Sequence, residues 1–351
     1  MRKVSCPVHM LKADGGTIPV LSALHEPVEA IFTGPAASVL GIEALCAPEE
    51  NAISLDIGGT TTDIAFWEKG KPLMGRRGAR INNFPTAVRS FHMRSIGIGG
   101  DSRINKLADG SYEVGPERAG ICAALGGSEA TLSDALILVG YVSFGEKTKA
   151  EEALQKFGTD PLAESKKIIA AAVEKIVVTI NDMLKEYAKE PVYTVDDIVH
   201  EHIFKPEILI GVGGGSLGLV KAVGETMGLA VRIPKGAVVA NAIGAAVARP
   251  TLSAGFRTDT SDGTYIIPEC GKKPRLPSGF DKNAAVKILR DYLLDVTKDW
   301  QLPDRETEII SYEHFYTIHD YYESGDIINL RMQLKPGILS KVEGREVSFD
   351  D

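Results

Sequence analysis

ISLDIGGTTTDIAFW, residues 53–67, reads as two short apolar strands joined by a turn of Gly58, Gly59 and three threonines, bracketed by Asp56 and Asp63. The chemistry of the turn points to phosphate. Gly58 and Gly59 can take positive φ and let the backbone approach a ligand closely, so that successive amide N–H groups converge on an anion. Thr60, Thr61 and Thr62 add hydroxyl donors. Asp56, at the end of a buried strand, is placed to orient Mg2+ or its waters, because Mg2+ keeps several waters and bridges to substrate phosphates. Asp63 is a second catalytic candidate, or a pin for the turn. An ordinary hairpin with a Gly-Gly turn is the competing reading, and it requires neither the acids nor the threonine run.

A second signal lies at 207–218, where the apolar strand EILIGV runs directly into Gly213, Gly214, Gly215 and Ser216. A helix, LGLVKAVGETMG, and a strand, AVRIP, follow. Gly213, Gly215 and Gly218 satisfy the dinucleotide fingerprint, but that fingerprint needs an acid at the end of the next strand to bind the ribose. This strand ends Arg232-Ile233-Pro234, so a glycine turn bordering a nucleotide is the reading that stays open. AVVANAIGAAVAR then gives a small-residue helix suited to close packing. A further glycine turn, Gly97, Gly99, Gly100 and Asp101, is weak on its own, because glycine turns are common.

The remaining periodicities place these motifs. Thr33 is expected to cap a helix over 35–45, with Pro35 in its first turn, where a missing N–H costs little. After the hairpin, Lys71 to Arg80 reads as a third strand. Residues 113–140 read as a loop followed by an apolar segment, TLSDALILVGYV, and 149–157 as helical. Ile168, Ala172, Ile176, Ile180, Met183 and Tyr187 recur at spacings of three or four, which predicts a long amphipathic helix over 161–188. TVDDIVHEH is helix-like, and His200 and His202, two apart, would face different sides. Composition shifts to Asp, Thr, Gly and Pro over 251–280, a linker between a lobe at 1–250 and a small α+β module at 281–351. In that module Leu289, Tyr292, Val296 and Trp300 share a helical face. YEHFYTIHDYY, a turn at Glu323–Asp326, and IINLRMQL read as two antiparallel strands.

Composition narrows the function. A 44 % hydrophobic chain of 351 residues builds substantial cores in one to three domains. A net charge of −8 argues against a nucleic-acid or anionic-membrane surface, where clustered Lys and Arg supply the affinity, and favours small ligands or protein partners. Cys6, Cys46, Cys122 and Cys270 lie too far apart for a zinc knuckle or disulfide framework, which suits a reducing cytoplasm. The start, MRKVSCPVHM, lacks the apolar run of a signal sequence, and the most apolar internal stretches are shorter than a membrane span.

In combination the motifs carry a resemblance. The hairpin, the strand into GGGS about 150 residues later and the small-residue helix resemble the actin-like ATPase fold. More narrowly, FTGPAAS (32–38), SLDIGGTTTDIA (54–65), SIGIGGDS (95–102), VGPERAG (114–120), TLSDALILVGY (131–141) and GVGGGSLG (211–218) resemble the A subunit of the hydantoinase/oxoprolinase family. The resemblance implies an α/β, ribonuclease H-like lobe with a mixed sheet and flanking helices. It also implies ATP and Mg2+ as cofactors and ring opening of a cyclic amide, such as 5-oxoproline or a hydantoin, after phosphoryl activation of its carbonyl oxygen.

On this basis Asp56 would serve Mg2+, Gly58 to Thr62 phosphate, and Gly213 to Ser216 adenosine, while Gly97, Gly99, Gly100 and Asp101 would shape the substrate side. Partners would be a hydantoinase B-like subunit or further copies of the chain. Relatives carry two such hairpins with ATP between them, so a chain with one is expected to lack the N-terminal lobe. Arg94-Ser95-Ile96-Gly97 stands where members carry His-Thr-Val-Gly, and ICAALGG (121–127) shortens a longer family loop. Two rivals share the fold: an ATP-gated reactivase or activator acting on a protein, and an ATP-dependent ketone carboxylase subunit.

Overall fold

Alternation along the 53–67 hairpin sorts its side chains onto two faces. Ile53, Leu55, Ile57, Ile64 and Phe66 are fully buried on one, packed with Ile168, Ala172, Ile176 and Ile180 of the helix Pro161–Lys189. Each such side chain contributes roughly 1.5–3 kcal/mol by leaving water. The other face carries Ser54, Asp56, Asp63 and Ala65 and borders the helix Thr33–Cys46. In a computed structural model, residues 6–75, 78–81, 84–189, 204–300, 302–319 and 322–342 are described. TVDDIVHEH, with His200 and His202, lies outside them.

Two compact units emerge, one built from residues 11–15, 27–247 and 340–342, the other from residues 6–10, 16–26 and 248–339. The first holds a six-stranded mixed sheet. Ala230–Arg232, Ile208–Val212 and Ala52–Ile57 run parallel, and Thr62–Glu68 is antiparallel to the last. The far edge of Thr62–Glu68 is shared. Lys71–Pro72 pairs with its end and Met93–Ile96 with its start. Lys71 to Arg80 is therefore not one continuous third strand: only Lys71 and Pro72 pair with Thr62–Glu68, and Met74 bridges Phe91 instead.

Around the sheet the expected helices form at Thr33–Cys46, Pro161–Lys189 and Ser216–Met227, and the small-residue segment as Ala240–Val247. Phe32, in a left-handed conformation, caps the first of these in place of Thr33. That helix and Ala240–Val247 cross in backbone contact, since a Cβ on Gly41 would strike Ala240 and one on Gly244 would strike Ala37. The stretch read as a loop carries the strand Tyr112–Arg118, antiparallel to Ser102–Lys106 with a register break between Val114 and Arg118, which hides its alternation. Leu132–Val139 is a helix with a capping box of Thr131 and Asp134. Asp134, fully buried, also accepts the Ala123 and Ala124 amides at 3.0 and 2.8 Å, fixing the short loop before it.

The second unit is a four-stranded antiparallel sheet with the helix Lys282–Val296 on one face. Residues 251–280, read from composition as a linker, carry the strands Ser253–Asp259 and Thr264–Ile266 of this sheet. Ala254 and Phe256 pack with Leu289 and Leu293 of the helix, and with Leu330 and Met332 of Tyr322–Leu334. Val296, expected on the packed face, is 47 % exposed, and the buried stripe is Ala285, Leu289 and Leu293. Glu323 to Asp326 lies in strand, paired with Thr307–His319, instead of forming the turn. No helix among the described residues is long and apolar enough to cross a membrane.

Candidate functional site

Two parallel neighbours end side by side, with Val212 in register with Asp56, and each runs into a glycine turn. Ligands of open α/β sheets bind at this carboxyl end of the strands. In the hairpin turn the Gly58 amide donates to the Thr61 carbonyl at 3.0 Å. The amides of Gly59, Thr60 and Thr61 make no hydrogen bond among the described residues, and all three residues are exposed. Neither Gly58 nor Gly59 takes the positive φ expected of them. Gly59 leaves room for the Asp101 side chain, since a Cβ there would lie 2.6 Å from its carboxylate and displace it.

The turn at 97–101 braces the hairpin from behind. Gly100 and Asp101 donate their amides to the Gly58 and Gly59 carbonyls at 3.0 and 2.7 Å. Both carbonyls are consumed inward, and the turn presents N–H groups to solvent, the polarity an anion requires. A Cβ on Gly99 would lie 2.5 Å from both the Gly59 oxygen and the Thr60 nitrogen. Thr62, expected among the phosphate donors, is fully buried and donates its hydroxyl to the Ile98 carbonyl at 2.7 Å. It ties hairpin to brace and is withdrawn from any ligand. Gly97 packs on Pro116, and Asp101 accepts Arg118 Nε and Nη2 at 3.1 and 2.8 Å.

Gly213 stands at φ +91°, where its missing Cβ leaves room for the Asp56 carboxylate and the Ile57 carbonyl. Its amide goes to the Ala237 carbonyl at 2.9 Å and that of Gly215 to Ile57 at 2.8 Å, fastening this turn to the hairpin. Gly214 is exposed and Ser216 begins the helix Ser216–Met227. At the end of the following strand Arg232 pairs with Glu50, a structural role that agrees with rejection of the dinucleotide reading.

The two acids are directly opposed across the hairpin. Asp56 accepts a hydrogen bond from the Ser38 hydroxyl; burial pushes its carboxyl above the usual range and that bond partly offsets it. Asp63 is pushed up to about 6, chiefly by burial, with the Ser95 hydroxyl opposing and the Asp56 charge adding to the rise. Asp63 Oδ1 is buried with no hydrogen-bond partner, and the two carboxylates line a void of about 10 Å3. That is room for about one water. An orphaned carboxylate oxygen beside a second acid suits one such water, and that water can belong to the shell of a cation held outside the void. Mg2+ takes one or two carboxylates and completes its shell with waters and phosphates, so it does not need the cluster of three or more ligands that is absent among the described residues.

Ser38, Ser95 and Arg118 were not singled out from sequence, although each lies inside a motif stretch: FTGPAAS, SIGIGGDS and VGPERAG. Hydroxyls that orient a carboxylate, and an arginine whose partner is 17 residues away, have no local signature.

The chain is 26 % identical over 249 residues to the alpha subunit of caprolactamase from Pseudomonas jessenii, covering 65 % of this chain and 34 % of that one. It is 29 % identical over 226 residues to the gamma subunit of acetophenone carboxylase from Aromatoleum aromaticum, covering 58 % and 29 %. It spans about a third of the length of these curated relatives. Among solved structures, nucleotide-free acetone carboxylase shares the fold at a TM-score of 0.60 and 17 % identity, over 97 % of this chain and 54 % of that one. The mixed sheet and flanking helices are the fold shared with that structure. The sequence model of the hydantoinase/oxoprolinase family matches residues 1–254, and this protein belongs to that family.

Proposed function

We propose that this chain forms the phosphate-binding part of an ATP-dependent amidohydrolase that opens a small cyclic amide after phosphorylation of its carbonyl oxygen. The observation that carries it is the row of unpartnered amides from Gly59 to Thr61 beside Asp56, at the shared ends of two parallel strands. Bound ATP with Mg2+ would supply the phosphoryl group and neutralise the charge that develops on it. The chain's residues then have separate tasks. The Gly59, Thr60 and Thr61 amides hold phosphate oxygens, and the Thr60 and Thr61 hydroxyls extend that row. Asp56, oriented by Ser38, holds the metal's water, with Asp63 behind it. Gly213 to Ser216 border the adenosine. Such catalysis is positioning and charge stabilisation, which a turn with both carbonyls tied back performs without reorganisation.

The caprolactamase relative supports an amide substrate. A second reading, a subunit that helps carboxylate a ketone, is favoured by the acetophenone carboxylase relative. Both relatives are named as subunits, which supports a hydantoinase B-like partner for this chain. Phosphate release should be measured with cyclic amides, with ketone plus bicarbonate, and with neither, in each case with and without the partner subunit. Release matched one to one by ring-opened product supports the amidohydrolase. Bicarbonate-dependent release supports the carboxylase. Release that needs only a protein partner and yields no product supports an ATP-gated reactivase.

A further inference from the structure

The helix Pro161–Lys189 carries more apolar surface than the sheet covers. Ile168, Ala172, Ile176 and Ile180 pack with the hairpin, while Val173 and Val177 line a cavity of about 560 Å3 beside the helix Ser216–Met227. Lys166, Ala170 and Glu174 line the same cavity. Together with Ala163 and Val177 they are spaced three, four, four and three residues apart, which keeps all five on one strip of the helix surface. Lys166, Ala170 and Glu174 are exposed. Lys166 and Glu174 make no ion pair or side-chain hydrogen bond among the described residues, whereas Lys167, Lys185 and Glu186 of the same helix are paired. Lys166 and Glu174 also lie about 12 Å apart along the axis, too far to pair with each other.

Turned end for end about Ala170, the strip sets Lys166 against Glu174 and Ala163 against Val177. The exposed apolar residues flanking its ends, Leu162 at 44 % and Val178 at 51 %, exchange places under the same operation. A surface with that property is complementary to a second copy of itself across a two-fold axis. Ala170 falls on the axis, where a small side chain allows two helices to approach closely. A helix of an unrelated protein would have no reason to match this reversal symmetry, so the pattern favours the chain itself as the occupant.

We infer that the chain forms a two-fold dimer in which the helices Pro161–Lys189 of two copies pack antiparallel about Ala170. Lys166 of each copy meets Glu174 of the other, giving two ion pairs, and Ala163 meets Val177 on either side. The second helix lies over the cavity beside the strip and removes its apolar wall from water. The strip is about 21 Å long, short for a standard interface, so association is expected at micromolar concentration. Exposed ion pairs contribute little affinity but fix which orientation pairs, because like charges would face each other in any other register. The dimer depends on no step of the proposed reaction.

The test is sedimentation equilibrium of the full chain up to several hundred micromolar. Wild type should show a monomer–dimer equilibrium that weakens with added salt. Lys166→Glu and Glu174→Lys each turn two attractive pairs into two repulsive ones, and each should weaken the dimer about ten-fold or more. The variant carrying both changes should regain wild-type affinity. An equimolar mixture of the two single variants should form mixed dimers, because each then offers the charge that the other lacks. Ala170→Arg, which puts bulk and two like charges on the axis, should abolish the dimer. All three positions are exposed, so the melting temperatures should stay close to wild type. A monomer at every concentration, whether the strip is bare or serves a different protein, would overturn the inference. So would a dimer that keeps its affinity through these changes, or single variants that are rescued neither by the double change nor by mixing. Should either charge reversal fail to fold, Ala170→Arg decides, and an intact dimer there counts against the surface.

Discussion

Gly99→Ala isolates the contact that holds the phosphate turn in shape. Gly99 does not occupy the left-handed region, so alanine meets no backbone strain there, and the whole effect is the added methyl. That methyl would sit 2.5 Å from the Gly59 oxygen and the Thr60 nitrogen. Carbon contacts are comfortable near 3.5–4.0 Å, so the two turns must separate by about 1 Å. Because the obstructing atoms are backbone, no rotamer change relieves the clash. The separation also strains the Gly100 and Asp101 bonds to the hairpin, now 3.0 and 2.7 Å. Overpacking of this kind costs about 1–3 kcal/mol of stability. A misplacement of about 1 Å in a positioning site costs roughly 100-fold in activity. Gly34→Ala is the control, because its Cβ would meet nothing within 4 Å. In urea unfolding and Mg-ATP titration, Gly99→Ala should lose stability in that range and bind nucleotide much more weakly, while Gly34→Ala does neither. A Gly99→Ala protein with native stability and native affinity would refute the brace.

Thr62→Val keeps the shape but leaves the Ile98 carbonyl without its donor, and should cost about 1–3 kcal/mol in urea unfolding. Arg118 is 56 % exposed, so Arg118→Gln should change stability by less than about 1 kcal/mol. Asp63 gives a pH signature. Its folded carboxyl titrates at about 6, above the ordinary 3.8, so between those values the folded state keeps a proton that the unfolded chain has lost. Its contribution to stability is therefore complete below pH 3.8 and is lost as pH rises through 6, by at most ~3 kcal/mol. Unfolding in EDTA should show wild type falling behind Asp63→Asn between pH 4 and 7, with the difference vanishing at pH 4.

The parts of the fold legible in the sequence are those set by a single period. The spacing of Ile168, Ala172, Ile176 and Ile180 predicts the helix observed at Pro161–Lys189, and the alternation in 53–67 predicts both strands of the hairpin. Where the period is interrupted, the reading fails for a local reason. The pairing begun at Lys71 stops at Pro72, after which Met74 bridges Phe91, and the register break after Val114 conceals Tyr112–Arg118. In 251–280 the alternation of Ala254, Phe256 and Thr258 is short and surrounded by turn formers, so composition outweighs it.

At the site, glycines announce turns but not which side of a turn faces a ligand. That Gly97 to Asp101 would brace the hairpin, and that Thr62 would serve the brace, depends on bonds between segments 35 or more residues apart. Ser38 reaches Asp56 across 18 residues, so its part in orienting the acid is visible only in three dimensions.

Hydrogen exchange with and without Mg-ATP tests the central claim most directly. Peptides spanning 57–62 and 211–218 should be protected by nucleotide, because the amides of Gly59, Thr60 and Thr61 acquire acceptors that they lack in the free protein. Binding of Mg-ATP with protection confined to other segments, or no protection anywhere at saturating nucleotide, would contradict the assignment of phosphate to this hairpin.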